Sequence, residues 1–204
     1  MKILLIAEHD QKNIKLVTHH ALSAATQLGG EIDLLVIGEH CEDIAEKARF
    51  LPVKSILLAD HAAYAHQLAE NTAALIASLG KSYDYILMAA STFGKNILPR
   101  AAALLDAAMI SDVTKIVTPD TFERPIYAGN AIATVQSTDK IKLLTIRTTA
   151  FPAVKAGSAA AADIQKIADV IPDTSSRFEN QSLTKSARPE LTDARIVISG
   201  GRGL

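Results

Sequence analysis

Apolar residues along this chain arrive in short unbroken runs, separated by stretches of helical periodicity. Residues 3–7 are continuously apolar and are followed by the polar stretch 9–13. Ile14, Val17, Ala21, Ala24, Ala25 and Leu28 then recur at helical spacing, and Gly29-Gly30 stops that helix. Residues 32–37 predict a second strand closed by Gly38, with a short helix from Cys41 or Glu42 to Phe50, ahead of Pro52. A third strand is expected at 55–59. Leu68, Thr72, Leu75, Ile76 and Leu79 line one face of the helix after it, which Gly80 ends. Residues 85–90 predict a fourth strand. Ile97, Leu98, Ala101, Leu104, Leu105 and Ala108 repeat the helical stripe, and Pro99 requires that helix to start within a few residues before it. Strands that are apolar throughout, each followed by an amphipathic helix, predict a doubly wound α/β fold: a mainly parallel sheet with helices on both faces.

After Ser111 the pattern changes. Residues 113–117, 124–127, 131–136 and 141–146 read as extended segments, separated by Pro119-Asp120, Gly129-Asn130 and Ser137-Thr138-Asp139. They predict an added antiparallel or mixed β segment. Residues 156–162 are small and featureless, the polar stretch 173–190 is irregular, and 155–190 is expected to serve partly as linker. Residues 195–198 (Arg-Ile-Val-Ile) read as a buried strand running into Ser199-Gly200-Gly201-Arg202-Gly203-Leu204. A strand leading into a glycine-rich turn is how dinucleotide sites begin, because glycine lets backbone approach a phosphate. The expected division is therefore an α/β domain over 1–190 and the opening of a second, truncated unit over 191–204.

Composition narrows the function classes. The chain has 204 residues, 49% hydrophobic and 21% charged, with a formal net charge of −1. No basic excess is present to neutralise a phosphate backbone, so nucleic acid is not the expected partner. No stretch approaches a membrane span and residues 1–6 lack the form of a targeting segment, so a cytoplasmic protein without membrane insertion is expected. Cys41 is the single cysteine and cannot form an internal disulfide.

Candidate chemistry is sparse. The loops after the first and fourth strands, His9-Asp10 and residues 91–96, would flank the crevice where the strand order reverses. There Ser91, the amide of Gly94 and Lys95 form a candidate anion site. In a plainer reading Gly94 and Asn96 shape the helix entry while Lys95 meets solvent or a partner. His9, His19, His20, His40, His61 and His66 show no metal-ligand spacing, and with His19 opposite its helix's apolar stripe and His20 at its edge, both are expected to be solvated. No metal site and no catalytic constellation is expected.

Several segments, in order along essentially the whole chain, are similar to the electron transfer flavoprotein alpha subunit family. They are Ser-Thr-Phe-Gly-Lys-Asn-Ile-Leu-Pro-Arg at 91–100, Ile-Ser-Asp-Val at 110–113, Arg-Pro-Ile-Tyr-Ala-Gly-Asn-Ala at 124–131, Thr-Ile-Arg at 145–147, Arg-Pro-Glu-Leu-Thr at 188–192 and the block 199–204. The resemblance implies the amino-terminal domain of such a subunit, adenine nucleotide alpha hydrolase-like in fold, ending where the flavin domain begins. It implies a heterodimer with a beta subunit. FAD would be held mainly by the missing carboxy-terminal domain, and an AMP, where one is bound, by the beta subunit. Electrons would pass from dehydrogenases, such as those acting on acyl-CoA in fatty acid β-oxidation, to a quinone oxidoreductase. By that resemblance Arg202 approaches the FAD phosphates with Gly200, Gly201 and Gly203 shaping its turn, all only in the intact subunit, and this chain alone carries no cofactor. The competing reading is a free-standing nucleotide-binding α/β protein similar to universal stress proteins, whose glycine-rich signature ahead of a late helix is not found here.

Overall fold

The computed structural model describes residues 1–155, 157, 161–182, 191, 194 and 196–203. Strand β1 (Lys2–Ile6) shows what drives the architecture. Ile3 and Leu5 enter the core on one face of the sheet, Leu4 and Ile6 the core on the other, and all four are 0–2% exposed. Successive strand side chains point to opposite faces, so an unbroken apolar run is stable only when both faces are covered. Each such side chain contributes roughly 1.5–3 kcal/mol, against which the entropy of ordering the chain must be set.

Helices α1 (Leu16–Leu28) and α2 (Glu42–Ala48) cover the Ile3 and Leu5 face. Helices α3 (Ala69–Gly80) and α4 (Thr92–Leu104) cover the other. Helix α1 ends as its sequence predicts, with Gly29 in the left-handed region at φ +74° and its amide donating to the Thr26 carbonyl. The remaining strands of the main sheet are β2 (Glu31–Gly38), β3 (Ser55–Asp60), β4 (Tyr85–Ala89) and β5 (Met109–Val113). The chain then leaves for a three-stranded antiparallel sheet of β6 (Lys115–Thr118), β7 (Thr121–Ile126) and β8 (Ala131–Gln136). It returns through β9 (Lys142–Ile146) and finishes the main sheet with β10 (Asp163–Lys166). The order is β10-β3-β2-β1-β4-β9-β5, every pair parallel, and it reverses between β1 and β4. The doubly wound fold with an added antiparallel sheet is thus as expected.

The structure corrects the sequence reading in five places. Residues 142–146 belong to the parallel sheet, not to the β excursion, because β9 slots between β4 and β5 where its Leu143, Leu144 and Ile146 are buried. Helix α4 starts at Thr92, which leaves Pro99 in its interior. Pro99 stands on the solvent face, where water can serve the Lys95 carbonyl that its missing N–H would have bonded. His19 and His20 are half-buried: their Nδ1 atoms donate to the carbonyls of Val154 (2.9 Å) and Phe151 (2.6 Å), fastening the segment after β9 onto α1.

The stretch expected to be partly linker contains β10, and residues beyond it lie against α3. Ile171 N donates to Tyr64 Oη (3.2 Å), Asp173 N to Asn71 Oδ1 (2.9 Å) and Ser176 Oγ to Glu70 Oε2 (2.8 Å), while Phe178 stacks on His66 at 3.6 Å. Its polar sequence conceals this because three of these four contacts are hydrogen bonds to side chains rather than apolar burial. Last, Ile196, Val197 and Ile198 are exposed and outside any strand, since no partner strand reaches them among the described residues. Arg195, residues 188–190, Thr192 and Leu204 lie outside the described residues.

Candidate functional site at the carboxyl edge of the sheet

Parallel strands deliver all their carboxyl ends to one edge, and the polar residues following β1, β4, β5 and β9 gather there. At the reversal between β1 and β4, Ser91 caps α4 by accepting from Gly94 N (3.1 Å) and donates its hydroxyl to Glu8 Oε2 (2.5 Å). Glu8, largely buried, meets Lys15 Nζ through its other oxygen at 3.3 Å. Its backbone is fixed by Thr18, whose Oγ1 accepts from Glu8 N (2.9 Å) and donates to Glu8 O (3.2 Å). The mouth of the crevice therefore already holds a carboxylate. Gly94 is required here: a Cβ at that position would lie 2.0 Å from the Ala89 carbonyl oxygen, so only glycine lets α4 start this close to β4.

His9 lies beside this centre with its ring buried, and its Nε2 meets the Ile37 carbonyl at 2.8 Å, as does the Gln67 side-chain amide at 2.7 Å. Burial pushes the imidazole pKa below its ordinary value, with the Ile37 hydrogen bond opposing it. His9 is thus a neutral anchor of the loop after β1.

Of the three residues proposed for an anion, Ser91 and Gly94 are joined by a hydrogen bond and Lys95 is exposed. A second centre lies on the end of β5 around Asp112. Asp112 sits in a left-handed conformation (φ +61°) where the register between β5 and β9 shifts, and its amide donates to Thr145 Oγ1 (2.8 Å). Arg147, just past β9, grips the Asp112 carboxylate with Nε (3.1 Å) and Nη2 (2.5 Å). Arg147, with Lys95 and Arg124 adding to it, holds the Asp112 carboxyl below its ordinary pKa. Arg124, on β7, donates Nη2 to Ser111 Oγ (2.8 Å). Sequence reasoning quoted Arg124, Asp112 and Arg147 only as parts of similar segments; charged residues interrupting apolar strand runs were the signal that could have singled them out.

The other candidates are quieter. Burial, with Asp60 adding to it, pushes the Cys41 thiol up to about 12, far from thiolate chemistry. An open hollow of about 450 Å³ lined by His40, Glu42, Asp43 and Asp60 is acidic, and no group that could hold a metal ion occurs among the described residues. No helix among the described residues is long and apolar enough to cross a membrane. Gly200, Gly201, Arg202 and Gly203 are exposed, and a Cβ added at Gly201 or Gly203 would meet nothing within 4 Å.

The fold and this edge define the class: an open, doubly wound α/β protein whose switch point is occupied by its own carboxylate. The electron transfer flavoprotein domain model matches residues 3–171. An electron transfer flavoprotein subunit alpha of Pseudomonas aeruginosa is 52% identical over 100% of this chain and 66% of its own length. One from Bradyrhizobium diazoefficiens is 51% identical over 100% and 65%. A mitochondrial one from Dictyostelium discoideum is 42% identical over 98% and 61%. The chain belongs to the electron transfer flavoprotein family, and it spans about two thirds of the length of the curated relatives it matches.

Proposed function

We propose that this chain is the amino-terminal scaffold of an electron transfer flavoprotein alpha subunit, an electron-carrier part that does no chemistry of its own. The observation that carries this reading is the match over the whole chain, at 52% identity, to a protein named as that subunit. The scaffold pairs with a beta subunit and supports a flavin domain lying in the further third of the relatives' length. Electrons pass through the complete complex from dehydrogenases, such as those acting on acyl-CoA, to a quinone oxidoreductase. Residues 191–204 open the flavin domain, and Arg202 with Gly200, Gly201 and Gly203 contacts the FAD phosphates once that domain surrounds them. A planar guanidinium fork and unhindered glycine backbone suit phosphate oxygens. AMP belongs to the beta subunit, and the cytoplasm is the compartment.

A thermal-shift titration of the 204-residue chain with FAD, AMP and ATP tests this. A ligand that binds only the folded state raises its melting temperature. The expected result is no shift with any of the three. A saturable FAD shift would place the flavin site within these residues, and a shift with AMP or ATP alone would move it to the Ser91 crevice and favour a free-standing nucleotide binder.

A further inference from the structure

From Ala162 onward the chain crosses from one helical layer to the other around the β3 edge of the sheet. Arg49, at the end of α2, holds Ala162 from both sides: its carbonyl accepts from Ala162 N (2.9 Å) and its Nε donates to Ala162 O (2.9 Å). Ala162 is itself buried in the core on that face. β10 then lies along β3, Lys166 Nζ meets Glu42 Oε1 (2.6 Å), and Ile167 N donates to the Leu58 carbonyl (2.8 Å). By Ile171 the chain has reached the layer of α3 and α4, where Asp173 also pairs with Arg100 Nη2 (3.3 Å) and Phe178 lies on His66.

What holds this strap differs in kind from what holds the strand beneath it. No side chain from Asp163 to Phe178 is buried, and Ile164, Ile167 and Val170 pack only partly against the two cores. In β3, by contrast, every residue from Ser55 to Ala59 is buried, and the strand pairs with β2 along its whole length from Ser55 to Asp60. β3 therefore keeps its place in the sheet without β10. The strap's own contacts are single hydrogen bonds, partly exposed ion pairs and one aromatic stack, each weak alone. Proteins open in cooperative units, and those with few buried apolar contacts open first.

We infer that residues 163–178 form a strap that lets go of the domain as one unit, hinged at the Arg49–Ala162 clasp, while β3 and the sheet behind it stay folded. Letting go adds roughly 20 Å of root-mean-square reach to whatever follows Phe178. The strap thus decides where the rest of the chain is attached: at α3 when it is closed, at α2 when it is open. β10 suits a strand that comes and goes, being four residues long and bearing Asp163 and Lys166, the short, charged form of a protected edge.

Native-state hydrogen exchange of the 204-residue chain, followed at low denaturant, tests it. The amides of Ile167, Ile171 and Asp173 should share one protection factor, at least about a hundredfold below that of the β1 amides. Phe178→Ala, which removes the stack on His66, should speed all three by one common factor of about threefold to tenfold. Ile167→Ala, near the hinge, should speed Ile171 and Asp173 together by about tenfold. Unchanged protection of β1 in both variants shows that the sheet is folded. Variants that speed only the amides beside them would mean that the strap frays residue by residue, and would overturn the single unit. Strap amides protected as well as those of β1 would make the strap an integral part of the fold and overturn its release altogether.

Discussion

Two apolar runs of the same kind meet opposite fates in this molecule. Ile3, Leu4, Leu5 and Ile6 are 0–2% exposed in β1, whereas Ile196, Val197 and Ile198 are 78%, 54% and 95% exposed and belong to no strand. Composition does not separate them, since β-branched and aliphatic residues favour strands in both places. What differs is company. β1 is hydrogen-bonded to β2 on one side and β4 on the other, with a helical layer over each face, while no strand pairs with the second run among the described residues. A strand is a property of its neighbours as much as of its own residues.

The largest effect should come from truncating the enclosed run. Leu5→Ala removes a fully buried side chain between two layers and should cost about 3 kcal/mol of unfolding free energy, within the range for buried leucines. Denaturant titration measures it, and a loss under about 1 kcal/mol would mean that the core collapses around the gap. Gly94→Ala should come next, at about 2 kcal/mol, because its Cβ would meet a backbone oxygen that can yield only by moving α4 from β4. Chemical denaturation again reads it, and a neutral Gly94→Ala would show that the helix start tolerates displacement.

The same contrast explains what could be read in advance. Every strand and α-helix from β1 to α4 was legible to within a few residues, because each carries its own period and meets neighbours that the same pattern supplies. β10 was missed, since Asp-Ile-Gln-Lys has no apolar run; it forms because β3 offers a free edge and Ala162 seats in the core before it. The site was less legible still. The place of Ser91 and Gly94 after a strand was legible, but the Ser91–Glu8 and Arg147–Asp112 pairs depend on contacts 83 and 35 residues apart in sequence. Periodicity carries no information about such pairs.

The Asp112–Arg147 pair gives a smaller, pH-dependent effect on the enclosed part of the fold. A carboxyl whose folded pKa is depressed adds stability that is present above its unfolded value of 3.8 and is lost as pH falls through the folded value. Arg147→Gln should therefore destabilise the chain at pH 7 by about 1 kcal/mol or less, the arginine being half-exposed. That deficit should shrink as pH falls below 3.8 and be lost once pH has passed the depressed folded value, where the carboxyl is protonated in both proteins. Urea titrations at pH 7 and pH 3 would show it, and an equal deficit at both pH values would assign the loss to packing of the arginine stem instead.

The smallest effect is the one that most sharpens the comparison. Ile198→Ala makes the same kind of truncation as Leu5→Ala, but at a side chain 95% exposed, and should change the stability of the 204-residue chain by less than about 0.5 kcal/mol. In a protein of the relatives' full length, a sheet that enclosed this run would raise the cost of the identical substitution toward the 2–5 kcal/mol typical of buried isoleucine. Denaturant unfolding of both proteins separates the two explanations for the exposed run. A cost that rises with the longer chain means that residues 196–198 are a strand whose neighbours lie in the flavin domain. A cost that stays near zero means that the run is surface in both, and that its strand-like composition serves something other than a sheet.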